Sequence, residues 1–310
     1  MAKSQSFLRT ARVIISYGDV EAFEVTDLRI RFEVTKLKPS DGNTMKLTIY
    51  NLDPRAHPIA AKPRKVGTAW KYGRVKLFAG YESESGLLFL GDIKNVNTRR
   101  DGADIITDIY ALDGGKATEN AHMSQTFAAG ASLLSQLDAG FASLAKADPT
   151  LAKAKYQLET ITKFTNNVGS RSIFSDTRSF IDALAREYGF GWSIHNNTFR
   201  VSGHDDVFKS EAQAQVISKT TGMIGAPAIT EKGATVKSLL LWDIAPDDPF
   251  RVESEYGTIK LGVDLFRNQT YKTLGEGYYK VLSVKHVGDT RGNTWFSNIE
   301  GIDIKNRLGV

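Results

Sequence analysis

The 310 residues include no cysteine. Disulfides, thiolate nucleophiles and zinc–thiolate centres are excluded together, and the chain needs no oxidising compartment to fold. Long apolar runs are missing as well: no stretch approaches the roughly 18 residues of a membrane helix, and the opening MAKSQSFLRT carries positive charge with no apolar segment behind it. The chain is therefore read as neither exported by a signal peptide nor inserted into a membrane. Charge of one sign is not in large excess. Lys and Arg number 40 against 35 Asp and Glu, a net +5, which permits nucleic-acid contact without demanding it. Histidine is scarce, and none of the 5 stands at H-x-x-x-H spacing from another, so no helical metal pair is present.

What is there points to strands. The 27 Gly and 10% aromatic residues suit a turn-rich β protein better than a helical bundle. Between Ala11 and about Asp113 six runs read as strands: ARVIISY, LRIRFEV, MKLTIYNL, GRVKLFAGY, GLLFLGDI and ADIITDIYAL. In LRIRFEV, Leu28, Ile30, Phe32 and Val34 fall on one face, with Arg29, Arg31 and Glu33 on the other. YESESG and TRRDGAD read as hairpin turns, each with a Gly suited to positive φ. The segment NLDPRAHPIAAKPRKVGTAWKYGR, with three of the 8 Pro, reads as an exposed basic loop or short helix.

After LDGGKATEN the text becomes Ala-rich and helical up to about Asn167, with Ser132 as N-cap and Leu133, Leu134, Leu137, Phe141 and Leu144 at helical spacing. An αββ module follows from Ser175 to Gly203. Its helix is capped by Ser175 or Asp176, buries Phe180, Ile181, Leu184 and Tyr188, and stops at Gly189, and its strands turn at Asn196-Asn197. From about Gln213 strands resume: AQVISK, AITEKG, VKSLLLWDI, DPFRVES, YYKVLSVKHV and NTWFSNIEGIDI. The last pair resembles FLGDIKNVNTRRDGADIITDIYAL in layout when Gly102 is set on Gly292, which raises an internal duplication. The expected architecture is mainly β (α+β), with two similar β-barrel domains and inserted helical and αββ modules. Its divisions are 1–115 for the first barrel, 116–212 for the insert and 213–310 for the second barrel.

Candidate chemistry is sparse, residue by residue. Ser283, His286 and Asp289 look like triad members, but an offset of three places Ser283 and His286 on opposite faces of a strand, and Asp289 suits a turn opener. LDGGKAT lacks the phosphate-loop pattern, having Tyr110 and Ala117 where Gly and Ser or Thr are required. GFGWSI has Gly189 and Gly191 without a third Gly, and follows a helix where a dinucleotide fingerprint follows a strand. His204, Asp205 and Asp206 are consecutive, which rarely converges on one ion. Glu82 and Glu84 could pair as glycosidase carboxylates, yet nothing encloses them. AWKYGRVKLF, Ala69 to Phe78, could stack bases, and equally reads as a strand with an aromatic entry. No catalytic, cofactor-binding or metal-binding residue is assigned, and no cofactor.

Several phrases in order carry a resemblance: LTIYNLDP, KLFAGYESESGLLFLGDI, TRSFIDALAREYGFGWSIHNNTFRV, TGMIGAPAITEKGATVKSLLLWDIAP and YYKVLSVKHVGDTRGNTWFSNIEG. Together they resemble the phage tail baseplate hub proteins, over roughly residues 25–115 and 170–302. The resemblance implies a structural, non-enzymatic hub: a homotrimeric ring in which each subunit carries two barrels, joining the six-fold tail tube to the three-fold central spike. It implies as partners the spike protein, tube or tube-initiator proteins and the tape measure protein, with no membrane insertion and no specific nucleic acid. It places the chain in the virion tail baseplate after assembly in the host cytoplasm. The rival readings are a tail-associated peptidoglycan hydrolase, for which Glu82 and Glu84 are the candidates, and a nucleic-acid-binding protein using the basic run from Arg55 to Lys76.

Overall fold

A computed structural model describes residues 8–17, 20–37, 42–53, 64–66, 69–151, 153–159, 161, 169–230, 233–254, 258–260 and 277–303. The first β region comprises β1 (Arg9–Tyr17), β2 (Val20–Val25), β3 (Ile30–Leu37), β4 (Thr44–Tyr50), the short pair β5 (Arg64–Val66) and β6 (Ala69–Lys71), then β7 (Gly73–Tyr81), β8 (Glu84–Asp101) and β9 (Asp104–Leu112). The insert carries α1 (Gly115–Asn120), β10 (His122–Phe127), α2 (Leu133–Ala147), β11 (Lys153–Gln157), β12 (Arg171–Asp176), α3 (Thr177–Tyr188), β13 (Phe190–His195) and β14 (Thr198–Gly203). The second β region comprises β15 (Gln215–Ser218), β16 (Ala228–Thr230), β17 (Gly233–Leu239), β18 (Pro249–Glu253), β19 (Thr258–Lys260), β20 (Gly277–Asp289) and β21 (Trp295–Asp303). Half of the segment from Asn51 to Arg74, and Glu231 and Lys232 of AITEKG, lie outside the described residues.

Local chemistry explains the elements. In β3 burial alternates along IRFEVTKL, with Ile30, Phe32 and Val34 inward and Arg31 and Glu33 outward, as a half-buried strand requires. α2 begins at Ser132, whose hydroxyl accepts the Ser135 N–H, and buries Leu133, Leu137 and Leu144, whereas Leu134 faces water at 49% exposure. α3 begins at Asp176, which accepts the Ser179 N–H at 2.8 Å, and ends at Gly189 in the left-handed region. The tight turn from β13 to β14 is made by Asn196 and Asn197, both left-handed.

The two β regions are one sheet. Its strands run β19-β16-β17-β21-β20-β3-β4-β9-β8-β7-β1-β2, with β18 on β20 and β15 on β18. The seam is the antiparallel pair β20–β3, Ser283 opposite Leu37 through Asp289 opposite Arg31. Among the described residues no hydrogen-bonded pair closes either region into a barrel.

The registers reveal a duplication. β4 pairs with β9 from Thr44↔Leu112 to Tyr50↔Ile106; β17 pairs with β21 from Gly233↔Ile302 to Leu239↔Phe296. β3 meets β4 at Thr35↔Thr44, as β16 meets β17 at Thr230↔Gly233. β8 meets β9 with a register shift between Ile93 and Asn95, and β20 meets β21 with one between Val281 and Ser283. Before the shift β8 lies against β7 and β20 against β18, both antiparallel. The set β3-β4-β9-β8 is thus repeated as β16-β17-β21-β20, with Asn95 equivalent to Ser283 and Thr44 to Gly233. The fold is mainly β, with two similar β units and inserted helical and αββ modules. The second hairpin turn is longer, because Asp101 faces Asp104 whereas Gly288 faces Trp295, so Gly102 and Gly292 are not equivalent.

Among the described residues three hydrophobic clusters hold the chain. One, around Val13, Phe32, Leu47, Leu77, Phe89 and Ile109, also takes in Leu240 and Trp295 from the distant C-terminal sequence. A second lies between α2, α3 and the β13–β14 hairpin. The third is built on Val236, Phe250, Val281, Val284 and Ile299.

Two expectations need correction. The stretch to Asn167 is not helix alone: β10 pairs with β12, and β11 joins β14 in parallel, so the αββ module gains a third strand. KAKYQ has too little apolar patterning to announce a strand, and only the long-range partner makes it one. Gly86 of YESESG does not make the turn; it lies inside β8, where a Cβ would sit 2.4 Å from the Trp242 ring.

A sharper constraint falls on Gly233, where a Cβ would sit 1.8 Å from the Gly301 carbonyl oxygen. Gly233→Ala is expected to part β17 from β21 and cost about 1–3 kcal/mol, read as a lower Tm. Gly130→Ala, at a position open to solvent space, carries only its left-handed strain and serves as the milder comparison.

Candidate functional site

The residues that looked catalytic are held apart by the pairing of β20. Ser283 donates to Glu300 at 3.1 Å. His286 is fully buried, its Nδ1 2.8 Å from the hydroxyl of Ser297 directly across on β21. That same hydroxyl accepts the Leu241 N–H at 3.0 Å. Burial, and then the charge of Lys36, press the His286 pKa well below its ordinary value, so the ring is neutral. Asp289 is bound by Arg29 at 2.7 and 3.2 Å and accepts the Arg291 N–H at 3.0 Å. The Arg29 contact leads the causes that hold its carboxyl below the usual range. The turn-opening role expected for Asp289 is present; the clamp across the β20–β3 seam is an addition that local sequence did not signal.

The remaining candidates fare similarly. Gly114 of LDGGKAT is left-handed and starts α1, but the Lys116 N–H already donates to the Asp92 carboxylate at 2.7 Å. Gly189 caps α3 and Gly191 lies in β13. His204 and Asp206 give their carbonyl oxygens to Lys280. No group of three or more His, Cys, Asp or Glu among the described residues could hold a metal. Glu82 and Glu84 lie exposed at a hairpin. In AWKYGRVKLF, Tyr72 is buried and bonded to Asn120, Arg74 is ion-paired, and the Phe78 ring lies under Arg12.

What the structure concentrates instead is buried charge at the joints between the three clusters. Lys280, fully buried in β20, donates to the carbonyls of Gly203 and His204 at 3.0 Å each and to that of Asp206, and pairs with Asp247 at 2.9 Å. Asp247 accepts the Ser202 hydroxyl at 2.7 Å. Its neighbour Asp248 pairs with Arg200 at 3.2 Å and Lys209 at 2.9 Å. The insert's last strand, β14, is thereby bolted to β20. On the other side Asp113 accepts the Asn196 and Asn197 N–H groups at 2.5 and 3.3 Å, and Asn43 donates to Ile194 at 2.7 Å. Arg74 reaches Asp92 at 3.3 Å, Asn197 at 2.8 Å and Asp148 at 3.7 Å. Asp92 and Lys280 occupy equivalent positions before the two register shifts, and both are buried charges that bind the insert.

Burial perturbs two of these groups strongly. Lys36, with one hydrogen bond to the Ile244 carbonyl at 3.3 Å, is pushed down to about 7 by burial. Burial pushes Asp113 up to about 7. The pocket that Asp113 lines with Leu112, Thr118 and Ile194 has a volume of about 10 Å³, room for no more than a water.

A profile of the family described as Baseplate hub gp41 matches residues 11–256. The chain belongs to the baseplate hub gp41 family. It is a structural protein of a phage tail baseplate. Solved structures agree in fold: the tail protein of Neisseria meningitidis MC58 aligns with TM-score 0.59 and 10% identity over 96% of this chain and 97% of that one. The 43 kDa tail protein of prophage MuSo2 from Shewanella oneidensis gives 0.57 and 9% over 94% and 97%. The Escherichia coli c3393 protein, a type VI secretion component, gives 0.55 and 9% over 94% and 77%. At such identities these relatives speak for the fold alone. No curated protein sequence matches the chain. No helix among the described residues is long and apolar enough to cross a membrane.

Removing one partner of a buried pair leaves the other uncompensated. For this hub protein Lys280→Ala is expected to cost about 3–5 kcal/mol in chemical denaturation, and the Lys280→Ala/Asp247→Ala double variant clearly less than the two single losses summed. The pH dependence carries the signature of Lys36. Its folded pKa lies below the unfolded value, so the unfolded chain binds more protons between about pH 7 and 10.5, and this residue makes stability rise with pH across that window. Lys36→Met should flatten that rise when Tm is followed from pH 7 to 10.

Proposed function

We propose that this hub protein assembles as a ring of three chains that joins the six-fold tail tube to the three-fold spike. One observation carries the reading: each chain holds two copies of one strand set, in matching register and joined edge to edge. Three such chains present six similar units to a tube while keeping three-fold symmetry toward a spike. A chain of a Francisella PdpA–VgrG complex shares the fold, with TM-score 0.57 and 8% identity over 96% of this chain and 58% of that one. Its partners are then the spike, tube or tube-initiator proteins and the tape measure protein, in a virion tail assembled in the host cytoplasm. The role is mechanical, without catalysis, and its units are 1–115, 116–212 and 213–310, the core of the first also drawing Leu240 and Trp295 from the last.

The native mass of the purified chain, alone and mixed with its spike protein, tests this. A three-chain mass in either state is expected; a single-chain mass in both would overturn the ring.

A further inference from the structure

Among the described residues the duplication leaves one strand edge without its counterpart. In the second unit, β20 changes partner at its register shift: residues up to Lys280 lie on β18, and Ser283–Asp289 lie on β3 of the first unit. In the first unit, β8 follows the same course up to the shift, with Glu84–Asp92 on β7. Beyond it, residues 95–101 pair with β9 alone among the described residues. That half is long and mostly exposed, with Arg99 and Arg100 at its end. An edge of this length presents a row of backbone donors and acceptors that favours the addition of another strand.

We infer that residues 95–101 of β8 form the inter-subunit strand of the hub, pairing antiparallel with β16 of a second copy of this chain. The occupant follows from the repeat. β20 binds β3 within the chain, β8 is the equivalent of β20, and β16 is the equivalent of β3, so the same join repeated between chains brings β8 to β16. The intrachain pairs Lys285↔Thr35, His286↔Val34 and Val287↔Glu33 translate into Asn97 opposite Thr230, Thr98 opposite Ile229 and Arg99 opposite Ala228 of the neighbour. In the single chain the outer edge of β16 carries β19, a parallel pair of three residues. The incoming antiparallel strand displaces it, exchanging a parallel pair for an antiparallel one, which is the more stable per residue. β8 and β16 stand at opposite ends of the repeated set with six strands between them, roughly 30 Å or more at ordinary strand spacing, so one chain cannot satisfy both edges. The joint rests on the ring reading and names its contact.

The absence of cysteine makes the register testable. In Asn97→Cys/Thr230→Cys, oxidation in whichever state gives the three-chain mass, alone or with the spike protein, should give a ladder of disulfide-linked multimers on a denaturing gel, collapsed by reductant. Asp101→Cys/Thr230→Cys, four residues out of register, should stay a single-chain band. Hydrogen exchange on the unmodified protein gives a readout free of substitutions: amides in 95–101 should slow on assembly, while the exposed turn at Glu82–Ser83 should not. Equal cross-linking of both pairs, or none in either, overturns the joint, as does unchanged exchange in 95–101. If the wild-type native mass is oligomeric when that happens, only the β8–β16 contact fails and the ring stands. If the wild type is also monomeric with and without its spike, the ring fails with it.

Discussion

Everything in this molecule hangs on the backbone ladder between β20 and β3. Those strands are some 250 residues apart in sequence, and their seven-residue antiparallel pairing makes one sheet of two. Because side chains alternate faces along a strand, a slip of one residue would turn His286 and Val284 out to water and Lys285 into the core. The Asp289–Arg29 clamp at one end and the register shift after Val281 at the other fix the frame. The shift is also what lets one continuous strand serve two neighbours, since an extra residue bends the strand and re-aims its second half. Trp295, edge-on to Phe32 with ring centres 5.3 Å apart, then seals the join with apolar surface from both ends of the chain.

Buried ions do a different job at the insert. An apolar contact between β14 and β20 would cost less to form, since a buried charge pair offsets its desolvation only when every lone pair and proton is satisfied. Lys280 meets its half of that condition, its three protons going to three carbonyls while Asp247 supplies the opposite charge at 2.9 Å. Such a pattern admits one orientation of the insert, whereas packing of methyl groups tolerates several. The equivalent position in the first unit, Asp92, uses the opposite charge for the same purpose. The repeat therefore retained a place for a buried charge, at the point where each long strand changes neighbours, while its sign changed.

Much of this could be read from residues alone, wherever the cause is local. The alternation in LRIRFEV, the Ser132 cap, a cap at Ser175 or Asp176, Gly189 and the Asn196-Asn197 turn announce themselves, because a few neighbouring atoms decide each. The likeness of the two hairpins was visible too, though the Gly102–Gly292 alignment misplaced it: turn glycines drift with loop length, while ladder register does not. β11 was invisible, since KAKYQ is a strand only beside β14. The seam was invisible for the same reason. Nothing in YYKVLSVKHV says that its second half belongs to the first unit, and the buried Lys280 there reads as an ordinary solvent-facing strand residue until its partners from the insert are in place. His286, read as a strand residue, is one, and the serine beside it stands across the ladder in a sealed core and not in a cleft.

The two units agree along the shared sheet and part company beyond it, and the place where they diverge is informative. β7 and β18 are equivalent strands, each antiparallel to its long neighbour. Outside them β1 lies antiparallel on β7, but β15 lies parallel on β18. Parallel pairing needs a crossover, whereas antiparallel neighbours need only a turn. The periphery has therefore been rebuilt with different connections around a centre that keeps its register. An assembly of such chains has a doubled symmetry only along its sheet, where four strands repeat, and the plain symmetry of its chain number everywhere else. Doubling by register and distinction by periphery are separable properties of one chain, and a single polypeptide can in this way present near-equivalent surfaces on one side while remaining distinct on the other.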